Sequence, residues 1–180
     1  MALVLLYILI NIAYCYIFKK ISIIDVFIVS IGFDLRVIVG GVADDIMLSP
    51  WIILMTFLLT LFLAFAKRRD DVLIWNKDST LVRKNITCYN LSFLDATLSI
   101  LGCMTMVCYI IYSVSPEVEE RFHCRYVYVT SFFVLAGILR YLQISLVNQK
   151  SGSPTKILLG DRFIQAVTVC WILSFVIILY

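Results

Sequence analysis

Charge is what this 180-residue chain has little of: Asp, Glu, Lys and Arg make up 15% of it, while the apolar and aromatic set AVILMFWYC makes up 62%. Soluble domains run at roughly a quarter charged and about half apolar, so water is not the solvent for most of this chain. A mean hydropathy of +0.99 agrees. With only three Pro and seven Gly, it is not collagen-like, linker-like or disordered. The six cysteines (15, 88, 103, 108, 124 and 170) form no C-x-x-C pair, and most sit in apolar runs where a free thiol behaves as a small hydrophobe. The lone His123 has no second His to join it, which argues against zinc. A net charge of +3 is too small to suggest a nucleic-acid partner. Also missing is the cationic stretch that opens a secretory signal. Met1 leads straight into an apolar run, and Lys19 and Lys20 come after it, as in an internal membrane helix. The expectation is a C-terminal portion of a longer protein.

What is present in quantity is apolar length. A helix needs about 20 apolar residues to cross the hydrocarbon core, and six runs come near that: 2–18, 21–42, 50–66, 94–114, 126–147 and 163–180. Backbone groups in lipid must find partners inside their own segment, and no alternating barrel strands are visible. An all-α polytopic transmembrane bundle is therefore expected, as one domain over 1–180. Lys and Arg then set the orientation. The odd connections hold Lys19, Lys20, Lys67, Arg68, Arg69, Lys77, Arg83, Lys84, Lys150, Lys156 and Arg162, against only Arg121 and Arg125 in the even ones. Odd loops, including the long one over 67–93, are expected in the cytoplasm and both termini outside. That places the sequons at Asn85 and Asn90 on the wrong face for glycosylation.

A charge inside a span costs of order 2.5 to 3.5 kcal/mol, so Asp25, Asp34, Arg36 and Arg140 each need a partner, an interior face or a watery cavity. Gly32, Arg36 and Gly40 fall on one helix face, which should pack closely with the guanidinium inward. Arg36 lies about 22 Å from the cytoplasmic end, a depth suited to a structural ion pair; Arg140, about 10 Å from its own, suits cavity lining and structural pairing equally. Lys67-Arg68-Arg69-Asp70-Asp71 is the densest charge run at a membrane boundary. A positive anchor explains the cations, but Asp adds nothing to anchoring. Adjacent carboxylates can hold Mg²⁺ against a diphosphate while Lys and Arg take the remaining phosphate oxygens. Arg83, Lys84, Tyr89 and Asp95 return the loop to the membrane with more of the same groups.

Several stretches together resemble a known family: Gly32-Phe33-x-Leu35-Arg36, Gly40-Gly41-x-Ala43, Leu48-Ser49-Pro50-Trp51, Thr56-Phe57, Leu61-Phe62-Leu63-Ala64 and Lys67-Arg68-Arg69. Toward the C-terminus, Arg140-Tyr141, Gly152-Ser153-Pro154-Thr155 and Leu158-Leu159-x-Asp161-Arg162 agree. The pattern is similar to the UbiA superfamily of intramembrane prenyltransferases and, within it, to the branch of decaprenyl-phosphate phosphoribosyltransferases.

The resemblance implies a nine-helix bundle around a cytoplasm-facing cavity, with Mg²⁺ and a diphosphate held by two Asp-rich loops. The six runs here resemble its last six helices. Its second D-x-x-x-D motif falls on Lys67 to Asp71, with Asp71 matching the second carboxylate and Lys67 replacing the first. The implied reaction moves 5-phosphoribose from phosphoribosyl diphosphate to a polyprenyl phosphate such as decaprenyl phosphate, at the inner (plasma) membrane. Asp71 would be catalytic, Asp70 and Asp71 metal ligands, and Lys67, Arg68, Arg69, Arg83, Lys84, Arg140 and Tyr141 substrate-binding. Fixed cations at the departing diphosphate would lower the barrier electrostatically. The family's first motif, N-D-x-x-D-x-x-x-D, has no match in 1–180. Asp25, Asp78, Asp95 and Asp161 are the other carboxylates expected on that side, and a companion chain is expected to supply the first three helices. Two alternatives stand beside this reading: prenyl transfer from a prenyl diphosphate to a small or aromatic acceptor, and an inactive fragment or non-enzymatic membrane protein.

Overall fold

The computed structural model describes residues 2–78, 86–122, 124–147 and 154–179, apart from the side chains of residues 2–4, 77, 78, 87, 121, 125 and 179. Among these residues every regular element is helical and none is a strand. The chain is an all-α, multi-pass helical protein. In order the helices are α1 (Ala2–Tyr16), α2 (Ile24–Ala43), α3 (Pro50–Asp78), α4 (Leu91–Val114), α5 (Pro116–Phe122), α6 (Ser131–Leu142), α7 (Pro154–Gly160) and α8 (Arg162–Leu179), with a π-helical turn, Gln143–Val147, ending α6.

Helix ends follow local chemistry. Pro50 sits where a missing N–H costs nothing, at the first position of α3, and the Ser49 hydroxyl accepts the Trp51 N–H at 3.3 Å. No Gly or Pro interrupts the next 28 residues, so α3 runs on for 29 residues, about 43 Å. Asn90 caps α4 by accepting the Phe93 N–H at 2.6 Å, and Asp161 caps α8 by accepting that of Ile164 at 3.0 Å. Gly41 is a packing requirement: a Cβ there would stand 2.6 Å from Leu48 Cγ, where the chain folds back over the end of α2. At the other end of α2, Ile23 has φ 69°, a left-handed backbone that a β-branched residue rarely adopts.

Four helical segments are long and apolar enough to cross a membrane: Ile24–Ala43, Pro50–Asn76, Leu91–Val114 and Tyr126–Val147. A fifth is reached if Pro154–Gly160 and Arg162–Ile178, bent by 82°, count as one broken span. Four of the six expected runs thus reach the length and apolar character of a span on their own. The last reaches spanning length only with the short helix before it, and the first forms a helix of 15 residues, about 22 Å against a core of about 30 Å. A second difference concerns the expected loop over 67–93. Its first twelve residues belong to α3, because hydropathy marks where apolar side chains stop and not where a helix stops.

The chain divides into two compact units, Met1–Leu101 and Gly102–Tyr180, with the division inside α4. In the first, α2 packs against α3 and α1. In the second, α8 packs against α6, α7 and the 3-10 turn Arg125–Thr130.

Candidate functional site

Lys67 to Asp71 occupy the interior of α3, where successive side chains turn to different faces. The segment therefore sorts its charges. Lys67 is exposed and Asp70 half-buried, whereas Arg68, Arg69 and Asp71 are buried at 3%, 2% and 6% exposure. Burying a guanidinium is costly unless it is paired and hydrogen-bonded. Arg68 meets that requirement twice: its Nε donates to Asp25 Oδ2 at 2.8 Å and its Nη1 to Asp71 Oδ2 at 3.1 Å. Arg69 Nε donates to Asp95 Oδ1 at 2.6 Å. Asp95 is partly exposed, while Asp25 is wholly buried.

Tyr89 closes the cluster. Its hydroxyl donates to Asp25 Oδ1 at 3.3 Å and accepts the backbone N–H of Ile23, the residue with left-handed backbone. Burial, more than the neighbouring Asp25, pushes this hydroxyl up to about 12, so it stays protonated and available as a donor at neutral pH. One network thus ties the start of α2, the middle of α3 and the segment leading into α4. Asp25 and Asp71 share the charge of Arg68.

The sequence expectations meet this geometry unevenly. Arg68, Arg69 and Asp71 lie together with Asp25, Tyr89 and Asp95. Arg83 and Lys84 lie outside the described residues, as do His123, the side chain of Asp78, and Gly152 with Ser153. Arg140 and Tyr141 belong to the second unit. There Arg140 pairs with Asp161 at 2.8 Å, donates to Gln143 Oε1 at 2.9 Å and lies over the Phe163 ring, with Tyr141 buried beside it. Arg36 departs from the ion pair expected of it. Its guanidinium bonds the Tyr7 hydroxyl through Nε at 3.0 Å and Nη2 at 2.6 Å, and faces the Tyr7 and Phe33 rings. Asp34 is buried elsewhere, with Oδ1 unbonded. Gly40, expected at a close helix contact, has open space beside it. The pairing of Asp25 with Arg68 was not foreseen, although a carboxylate in an apolar run was a signal that a cation must meet it.

Among the described residues, no three His, Cys, Asp or Glu side chains are grouped to hold a metal ion. Asp70 and Asp71 still suit one ion type in kind: Mg²⁺ commonly takes only one or two protein carboxylates and completes its shell with phosphate oxygens and water.

No protein-family model matches the chain. It is similar to curated enzymes over most of its own length. It is 31% identical over 172 residues to the decaprenyl-phosphate phosphoribosyltransferase of Mycolicibacterium smegmatis, a match covering 92% of this chain and 54% of that protein. The enzyme of the same name from Corynebacterium glutamicum is 26% identical over 97% of this chain and 52% of its own length. That of Mycobacterium tuberculosis is 26% identical over 92% and 54%. The chain spans about half the length of the curated relatives it matches.

Proposed function

We propose that this chain forms the phosphate-handling part of an intramembrane transferase of the UbiA type, which moves 5-phosphoribose from phosphoribosyl diphosphate to the phosphate of a polyprenyl lipid. The observation that carries the reading is similarity across 92% of the chain to an enzyme named for that transfer. The charged rung of α3 supports it, because three basic side chains stand together where an apolar span gives way to polar residues.

In this reading the labour is divided differently from a simple phosphate clamp. Arg68 and Arg69 are engaged by carboxylates, so in this reading they position Asp71 and Asp95 rather than reach phosphate, while Lys67, exposed among the described residues, would meet a donor phosphate. Asp71, oriented by Arg68, and Asp70, half-buried one residue away, would hold Mg²⁺, whose chemistry is to neutralise the departing diphosphate. As the bond from C1 of the ribose to the diphosphate lengthens, charge grows on the leaving oxygens, and Lys67 stabilises it. The lipid acceptor would lie along apolar helices and present its phosphate at the same level. In this reading the charged end of α3 faces the cytoplasm, both termini lie outside, and a companion segment supplies the remaining helices of the bundle.

The test is transfer of labelled phosphoribose to decaprenyl phosphate in membranes holding the chain together with that companion segment, with and without Mg²⁺. A parallel arm offers prenyl diphosphate and an aromatic acceptor. Phosphoribosyl lipid is expected in the first arm, with loss of about tenfold or more for Lys67→Ala. Product only in the second arm replaces the reading by prenyl transfer, and product in neither removes the enzyme assignment.

A further inference from the structure

Between α1 and α2 lies a hollow of about 180 Å³, separate from the network around Arg68. Tyr7, Asn11 and Tyr14 line one side of it at helical spacing, and Gly32, Phe33 and Arg36 line the other. Among the described residues no carboxylate lines it. Arg36 is exposed, and among the described residues it forms no ion pair. Its guanidinium has five N–H groups, of which the Tyr7 hydroxyl accepts two, so the edge formed by Nη1 and the rest of Nη2 still has donors to place. A cation within a span of α2 without an anion is costly, and aromatic faces compensate only in part. The hollow is therefore a cationic, hydroxyl-lined recess that lacks its counter-charge.

We infer that this recess binds the phosphate of a membrane lipid headgroup, with Arg36 as the charged donor and Tyr7 holding the guanidinium edge-on. A planar fork with two parallel N–H groups suits phosphate oxygens. The polar strip of Tyr7, Asn11 and Tyr14 runs along α1 for two helical turns, which suits an elongated glycerophosphate better than a single carboxylate. Asn11 already donates to the Tyr7 carbonyl at 2.8 Å, which leaves its amide oxygen as an acceptor for a glycerol hydroxyl. Arg36 lies seven residues from the end of α2, about 10 Å, a distance that a long side chain and local thinning of the bilayer close together. It is eleven residues from Asp25, about 16 Å along the same helix, so the site is distinct from the proposed donor site and does not depend on the transferase reading.

The experiment is native mass spectrometry of the chain released from nanodiscs containing phosphatidylglycerol, with a parallel lipid titration. Wild-type chain is expected to retain one phosphatidylglycerol, and Arg36→Gln to weaken retention by about tenfold. Tyr7→Phe, which removes one hydroxyl and no charge, is expected to weaken it a few fold. Arg36→Lys, which keeps the charge and loses the fork, should fall between wild type and Arg36→Gln, and it stands in should the Gln variant fail to fold. Equal retention by wild type and the Arg36 variants overturns the inference. Displacement of the lipid by millimolar inorganic phosphate overturns the lipid source in favour of free phosphate. Loss of the lipid on co-expression with a companion segment shows that polypeptide fills the recess, and overturns it likewise.

Discussion

The buried polar cluster of the first unit carries full charges, Asp25 and Asp71 against Arg68, whereas that of the second is made of hydroxyls, met by a half-buried indole. There Tyr109 bonds the Thr130 hydroxyl at 2.8 Å and accepts the Trp171 N–H at 2.9 Å, and Ser113 lies 3.4 Å from Ser131. Trp171 and Phe175 meet edge to face beside them. Both solutions satisfy polar atoms among apolar helices, but they differ in cost. Neutral hydrogen bonds each contribute about 1 kcal/mol with little desolvation, while a buried ion pair can be replaced by apolar side chains at no loss of stability or even a gain. A fold needing only stability would use the second unit's method throughout. Charge kept at the centre of the first unit is consistent with chemistry there.

Four changes would break or sharpen this contrast. The largest effect is expected from Arg68→Met, which leaves Asp25 buried without its cation and should cost about 3–5 kcal/mol in a denaturant titration of the chain in micelles. Combining it with Asp25→Leu should recover most of that loss. If the single variant is as stable as wild type, the network is not closed as described. Next comes Tyr109→Phe in the second unit, expected to lose about 1–3 kcal/mol by the same titration, because it strands the Trp171 N–H and removes the bond to Thr130, whose hydroxyl keeps its own bond to the Val127 carbonyl. A loss as large as that from Arg68→Met would erase the distinction between the units.

Tyr89→Phe should cost about 1 kcal/mol, and it carries a pH signature. The folded hydroxyl titrates near 12 and an unfolded one near 10, so above about pH 10 the unfolded chain has released a proton that the folded chain keeps. Stability should therefore fall as pH rises from 10 to 12. Thermal melts should show this slope in wild type and a shallower one in the Phe variant; equal slopes would disprove it. Smallest of all is Arg140→Gln. Its pair with Asp161 is partly exposed and screened by salt, so the melting temperature should stay the same, and amide exchange at the start of α8 should change only slightly at low ionic strength. A large drop in melting temperature would make this pair a third buried anchor.

Much of the fold was legible because lipid permits few architectures. The apolar runs located α2, α4 and the start of α3 to within a few residues and matched the span Tyr126–Val147 that contains α6, and their all-helical nature follows from the need to satisfy the backbone internally. What hydropathy missed was continuity through polar sequence. Lys67 to Asp78 read as loop because the charged run Lys67 to Asp71 ends the apolar stretch, yet nothing in them stops a helix. The site was half legible. The cluster of Arg68, Arg69 and Asp71 stands out in any reading of the charges, but pairings over 43 residues with Asp25 and 64 between Asp25 and Tyr89 depend on how α2, α3 and the lead into α4 approach one another. Arg36 shows the converse. A lone charge in a span suggested an acidic partner, and it was met instead by Tyr7 and Phe33, since a planar cation can also rest on aromatic rings.

The length of α3 has one more consequence. Apolar stretch and charged rung share a single rigid rod, so the bilayer works as a gauge for the rung: a thicker hydrocarbon layer draws the level of Lys67 toward the acyl chains unless the rod tilts, and a thinner one lifts it clear. Lipids of different chain length would then tune how readily a water-borne anion reaches that level, with no change in any residue.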